Sequence, residues 1–200
     1  MGTSMTRLGT LARNLARAMG MRSEPDRRSR RLVLAIECIL NQNARDKGAA
    51  VFPALNAEVL RLCEAYEVGV VQIPCPEMEF LGFERARPRG TSIRDALDTE
   101  DGRKCCRRMG VGIADRVQTY SRQGYQILAV LGGNRNSPGC AVHVGPHGLL
   151  ASSGVLMREL QDELRQRNID VPFRGIRDDD PGMLAADITW LEGVFSKKIG

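Results

Sequence analysis

The cysteines are the residues of this sequence with the clearest capacity for chemistry, because a thiolate binds soft metals and acts as a nucleophile. Three of the six follow β-rich apolar runs at well-separated points of the chain: Cys38, Cys75 and Cys140. The other three lie in helical patterns, where Cys63 is predicted to be a small core residue and the neighbours Cys105 and Cys106 to be packing or solvent-side thiols. Nothing in the sequence indicates secretion, so we expect reduced thiols, with a metal site built from the first three.

Three thiolates suit two kinds of metal group. One is Zn²⁺ completed by a histidine such as His143 or His147; the other is a [4Fe–4S] cluster with one iron left open. Structural zinc usually takes two ligands from one short segment, and no Cys-x-x-Cys pair is present. His143 lies in a partly apolar stretch, where a structural histidine is more common than a ligand. At this level both groups remain open.

Apolar runs predict the strands that position these cysteines. Residues 32–36, 68–73 and 126–131 are typical of parallel strands buried in a sheet. Further elements are predicted at the remaining periodic stretches: helices over 54–66, 101–123, 155–166 and 183–198, and a short strand over 169–173. This alternation predicts an α/β fold, a doubly wound, mostly parallel sheet with helices on both faces in a single domain. Ligands of such sheets bind outside the carboxyl ends of the strands, where all three cysteines are expected.

Two of the segments that carry cysteines have turn-forming residues. Prolines flank Cys75 in the run 74–77, and since neither has a backbone donor, we expect a rigid turn there. Residues 78–91 are predicted to be an irregular loop. Before Cys140, residues 132–139 contain three glycines, which allow backbone amides to approach a bound group closely.

The basic charge of the chain is concentrated at its N-terminus. Eight arginines and two acidic residues give residues 1–31 a charge of +6, so the net charge of +5 leaves −1 for the other 169 residues. We therefore predict a basic extension over 1–31 and a folded domain over 32–200, with nucleic acid as a partner only through the extension. The spacing of Leu8, Leu11, Leu15 and Met19 in the extension predicts a weak amphipathic helix, which is also compatible with a targeting or membrane-surface segment. No apolar stretch has the length of a transmembrane helix or signal peptide, and the expected location is the cytoplasm.

Four short motifs, in their order and spacing, resemble those of the thiouracil desulfidase (TudS) family. They are a post-strand loop that contains Cys38 and closes with Arg45-Asp46-Lys47-Gly48, then Cys75-Pro76-Glu77, then Arg87-Pro88, and finally Ser137-Pro138-Gly139-Cys140. The similarity spans roughly residues 32 to 175 and leaves the basic N-terminus outside it.

The resemblance implies a specific site. In that family three cysteines bind three irons of a [4Fe–4S] cluster, and the fourth iron captures the sulfur of a thiocarbonyl substrate. Carried over to this sequence, the cluster ligands are Cys38, Cys75 and Cys140, the acid that follows the Cys-Pro pair is Glu77, and the serine of the third motif is Ser137. Glu77 is then expected to transfer a proton, and Ser137 to donate a hydrogen bond to substrate or cluster sulfur. The implied activity is a desulfidase that releases sulfide from a thiolated nucleobase or small thioamide.

The sequence departs from the family pattern near all three ligands. Glu37 precedes the first cysteine in place of a small residue, Gly139 precedes the third in place of serine, and 78–82 replaces a glycine-rich stretch. These changes alter the walls of the pocket and leave the ligands intact. The alternative function is a metal-binding module without catalysis, in which a structural, sensing or electron-transfer cluster, or zinc, is closed by a fourth protein ligand such as His143.

Overall fold

A computed structural model describes residues 26–197 of the chain. The predicted amphipathic helix of the basic extension lies outside these residues. Within them, the strands are β1 (Arg31–Ile36), β2 (Gly69–Ile73), β3 (Gln126–Gly132), β4 (Val144–Gly145), β5 (Gly148–Leu149) and β6 (Phe173–Gly175). The helices are α1 (Glu37–Leu40), α2 (Ala57–Ala65), α3 (Pro76–Leu81), α4 (Ile93–Leu97), α5 (Glu100–Arg122), α6 (Val155–Gln166) and α7 (Pro181–Phe195), and a 3₁₀ turn spans Gln42–Ala44.

The main sheet has four parallel strands in the order β2-β1-β3-β6. The centre of this sheet is shielded from solvent, because the last four residues of β1 and the last five of β3 are all buried. Helices flank the sheet: α5 packs against α6, and α2 packs against α7. The predicted single-domain, doubly wound α/β fold is confirmed. Strands β4 and β5 form a separate antiparallel hairpin.

The leucine spacing of helix α6 corresponds to its buried face. Leu156, Leu160 and Leu164 recur every four residues and all three are buried, so one apolar face of the helix covers the core. Its bounds agree with the predicted 155–166. Cys63, Cys105 and Cys106 are also buried among core side chains, as expected for packing thiols.

Three local predictions were wrong. The stretch after Cys75 is not an irregular loop throughout, because helix α3 begins at Pro76; proline is tolerated at a first helical position, where its missing N–H needs no intrahelical partner. Cys38 lies in the short helix α1 and not in a loop. The last strand begins at Phe173 and not at residue 169: Pro172 lacks a donor, although its carbonyl oxygen accepts from the Val130 amide.

The strand order brings the ends of three strands together. Ile36 at the end of β1 pairs in register with Ile73 of β2, and Ala35 pairs with Leu131 of β3. The chain steps from β1 to β2 on one side and then crosses to β3 on the other. Beyond the carboxyl ends of these strands lies the crevice of a topological switch point, and the three candidate ligands follow β1, β2 and β3 into it.

Candidate metal centre

A cavity of about 270 Å³ lies at this end of the sheet, and all five candidate residues line it: Cys38, Cys75, Glu77, Ser137 and Cys140. The cysteines are free thiols. Two of them, Cys75 and Cys140, are buried, and Cys38 is half-buried. The ends of three strands therefore place three thiols on the wall of one cavity.

Cys38 is surrounded by a polar network that joins three loops. The Arg45 Nη2 atom lies 4.0 Å from Cys38 Sγ and 2.7 Å from Asp178 Oδ2 in a buried ion pair. The Gln42 side-chain amide donates to the Cys38 carbonyl oxygen at 2.8 Å. Asn134 Oδ1 accepts from the Asp178 amide at 3.0 Å, which ties the β6–α7 loop to the β3 loop. Burial raises the pKa of the Cys38 thiol to about 11, and the nearby Arg45 charge opposes that rise.

Cys75 occupies the residue directly before helix α3. Its backbone amide donates to Glu37 Oε2 at 2.9 Å, so the unexpected glutamate before Cys38 joins the end of β1 to the end of β2. Arg85 Nη2 lies 3.7 Å from Cys75 Sγ. Burial raises the pKa of the Cys75 thiol, as does the charge of Glu77, whereas the first amides of α3 and Arg85 lower it.

Cys140, Ser137 and Glu77 form a connected group. Ser137 Oγ lies 2.9 Å from Cys140 Sγ and donates to Glu77 Oε1 at 3.3 Å. Glu77 is only 8% exposed, and burial raises the pKa of its carboxyl group against the opposing effects of the Gly139 amide and the Arg85 charge. Burial also raises the pKa of Cys140 well above its ordinary value. The serine hydroxyl thus holds a carboxyl group beside a buried sulfur.

Close backbone packing fixes the position of Cys140. A Cβ atom on Gly133 would lie 2.7 Å from Cys140 Sγ, and one on Gly139 would overlap the ring of Pro76. The space that a serine at 139 would need is therefore filled by the first residue of α3. This contact gives a physical reason for glycine before the third cysteine.

Among the described residues, the cavity wall carries three thiols and no histidine. Within residues 26–197, no three or more His, Cys, Asp or Glu side chains form a group that could hold a metal ion. A cubane cluster distributes its ligands over several irons, which suits three thiols spread around one cavity. The guanidinium groups beside Cys38 and Cys75 would balance thiolate charge.

The histidines do not belong to this cavity. His143 Nε2 lies 2.8 Å from the Arg135 carbonyl oxygen, and neither His143 nor His147 lines the cavity wall. His143 is thus hydrogen-bonded within its own loop region and does not face the thiols as a fourth ligand.

Comparisons with known proteins add one relative. The chain is similar to the uncharacterized protein MJ0003 of Methanocaldococcus jannaschii. The two are 26% identical over 142 residues, which are 71% of this chain and 83% of the relative. No protein-family model and no solved structure matches the sequence. Because the relative's name states no activity, function has to be argued from the cavity.

Sequence reasoning found the thiols but missed most of the polar residues around them. Arg45 opens the motif after Cys38, yet its contact with that sulfur was not anticipated. Arg85 and Asp178 lie in runs of like residues that carry no periodic signal. Only the fold brings these side chains to the cavity.

In the part of the chain that the structure describes, no helix has the length and apolar character required to cross a membrane.

Proposed function

We propose that this protein is a [4Fe–4S]-dependent desulfidase that replaces sulfur by oxygen in a thiolated nucleobase or similar small thioamide and releases sulfide. The observation that carries the proposal is the meeting of three thiols with a buried, serine-bonded carboxyl group in one cavity. Cys38, Cys75 and Cys140 would hold the cluster through three of its irons.

When bound, the cluster would supply a Lewis-acidic iron with affinity for the soft sulfur of the substrate. The overall change is a hydrolysis: a C–O bond forms from water, the C–S bond breaks, and sulfur leaves as sulfide with no net gain or loss of electrons. The protein's own residues have to move the protons of this exchange.

Glu77 has the position and environment of a general acid–base. Its carboxyl group lines the cavity and, because burial raises its pKa, it keeps a proton to higher pH than an exposed glutamate does. It would take a proton from the attacking water and return one to the ring nitrogen of the product. Ser137 donates to Glu77 and so orients the carboxyl group beside Cys140.

The size of the cavity favours a small substrate. Its volume of about 270 Å³ is near the lower end of ligand pockets, which typically enclose about 300–1,000 Å³. A bound cluster would leave room for a single heterocycle more readily than for a long polymer segment. Contact with thiolated RNA through the basic extension remains a prediction, since that segment lies outside the described residues.

The decisive experiment purifies the full chain without oxygen, records its visible absorption and iron content, and assays sulfide release from 2-thiouracil and 4-thiouridine. We expect a cluster-containing protein that releases sulfide. Replacing Glu77 by alanine should lower kcat by about 10²–10⁴-fold, the usual contribution of a general acid–base, without changing iron content.

A matched control lies on the same helix. Glu79 is exposed on α3, so Glu79→Ala should keep full activity. A colourless, iron-free protein that binds one zinc ion after anaerobic reconstitution would overturn the proposal. Retained iron with no sulfide from either substrate would favour the alternative, a cluster with a structural, sensing or electron-transfer role.

A further inference from the structure

Two arginines of the cavity wall, Arg45 and Arg85, lie beside two of the three candidate ligands. We propose that Arg45 and Arg85 are positioning residues that tune the cluster through the sulfurs of Cys38 and Cys75, an inference that rests on the cluster of the proposed function. Their role would be to raise its reduction potential and weaken the neighbouring iron–thiolate bonds.

Arg85 is the stronger of the two cases because it is a nearly unsolvated cation. It is 2% exposed, and an arginine carries its charge throughout the physiological pH range. Two of its hydrogen bonds go to neutral acceptors, the carbonyl oxygens of Phe83 and Ala44. Burying a charge is costly unless an anion compensates it, and carbonyl groups supply only partial charge.

The anions available to Arg85 are few. Among the described residues, the carboxylate within ion-pair distance is Glu77, whose Oε2 atom lies 4.0 Å from Arg85 Nε. That Nε atom has no hydrogen-bond partner. Cys75 Sγ lies closer, at 3.7 Å from Nη2, and a metal ligand at this position is a thiolate. The guanidinium is therefore placed to face a negatively charged sulfur.

Arg45 has a similar position beside Cys38, but more of its charge is compensated. Its Nη2 atom is 4.0 Å from Cys38 Sγ, but the group is also paired with the buried Asp178 carboxylate at 2.7 Å. Asp178 neutralises most of the Arg45 charge while fixing its direction. We therefore expect Arg45 to affect the cluster less than Arg85 does.

The third sulfur also has a polar neighbour, since Ser137 Oγ lies 2.9 Å from Cys140 Sγ. Each candidate ligand thus has one polar neighbour within 10 residues of it along the chain. Hydrogen bonds to the sulfurs and the net charge around a cluster are two of the factors that set its reduction potential. Positive charge and N–H donors favour the reduced, more negative state, so removing them should lower the potential.

The test uses the anaerobically purified, cluster-loaded full chain with Arg85→Met, Arg85→Lys, Arg45→Met and the control Arg167→Met. Arg167 pairs with Asp115 and Glu163 and does not line the cavity. Two quantities are measured: the midpoint potential by EPR-monitored titration, and the iron–thiolate stretching frequencies by resonance Raman spectroscopy.

We expect the potential to move to more negative values, most in Arg85→Met, less in Arg45→Met and not at all in Arg167→Met. The stretching frequencies should rise in the same order, and this measurement needs no redox change. If Arg85→Met does not retain iron, Arg85→Lys carries the test, because it keeps the charge but loses the planar fork and should shift both quantities by a smaller amount.

Unchanged potentials and frequencies in cluster-containing Arg85 variants would overturn this inference and leave the desulfidase proposal intact. Shifts in both quantities in a protein that releases no sulfide would support the inference and overturn the desulfidase. An iron-free wild-type protein would overturn both, because the inference depends on the cluster.

Discussion

Two buried groups of charge in this fold differ in how fully they are satisfied. Asp187 on α7 is 0% exposed and accepts from Arg174 Nε at 2.7 Å, from the Arg177 amide at 2.9 Å and from the Arg177 guanidinium. In the cavity, Arg85 has an Nε atom without a hydrogen-bond partner and lies 4.0 Å from Glu77. We call the first the closed group, and the second, in which the Nε atom of Arg85 has no hydrogen-bond partner, the open group.

This difference separates a structural group from a candidate functional one. The Asp187 group joins β6 to α7, and the Arg174 guanidinium also lies 5.5 Å from the centre of the Trp190 ring, in the range of a cation–π contact. Such a group stabilises the fold without a ligand. In the cavity group, Arg85 Nε has no hydrogen-bond partner within the protein.

The two groups are also physically linked. Arg177 pairs with Asp187, and the next residue, Asp178, pairs with Arg45 beside Cys38. The closed group therefore anchors the loop that supplies one wall of the open group.

The largest effect on stability is expected when the closed group is broken. Asp187→Ala leaves two guanidinium groups without their buried carboxylate, which should lower the free energy of unfolding by about 3–5 kcal/mol. Urea denaturation followed by circular dichroism measures this change. Asp162, a surface residue of α6, provides the control, since Asp162→Ala should shift the midpoint little. Equal stability of Asp187→Ala and wild type would contradict the closed-network interpretation.

The elements that formed the sheet were the most predictable part of this molecule. The run 126–131 is largely apolar because both faces of β3 are covered. Burial on both faces requires apolar side chains, and this can be recognised from residue type alone. Strand ends could be located for the same reason, and with them Cys38, Cys75 and Cys140. Chain direction in a parallel sheet then places all three at one edge.

The charged wall of the cavity could not be predicted in the same way. Arg85 is buried through contacts with residues 41 and 10 positions away along the chain, and no local pattern distinguishes it from the exposed arginines around it. The Arg45–Asp178 pair spans 133 residues. Pairs of this kind depend on tertiary geometry, so a single sequence contains no periodic signal for them.

A second prediction concerns the packing that holds the cavity residues in place. Because the hydrogen bonds of the open group are incomplete, we expect the positions of the cavity residues to depend also on packing such as the contact of Gly139 with Pro76. Gly139→Ser should lower the free energy of unfolding by about 1–3 kcal/mol through overpacking and should reduce the iron content of the purified protein. Thermal unfolding and iron analysis measure the two effects.

The matched control for this substitution lies on α7. Gly193 has nothing within 4 Å of the position that a Cβ would take, so Gly193→Ser should leave stability unchanged or slightly higher, because serine is the better helix former. Gly139→Ser with unchanged stability and iron content would show that the Cys140 loop can move away from α3 without loss.

The smallest expected effect tests the open group by titration. Burial raises the pKa of Glu77, so in the cluster-free protein the folded state keeps its proton to higher pH than the unfolded state does. The favourable contribution of this proton is fully present below the ordinary glutamate pKa and is lost as pH rises through the raised value. Wild type should therefore lose stability relative to Glu77→Gln, which cannot ionise, across that interval. Urea midpoints of both proteins measured from acid to neutral pH give the difference directly. Parallel curves would mean that Arg85 and Ser137 hold the carboxylate as firmly as Asp187 is held, and the contrast between the two groups would disappear.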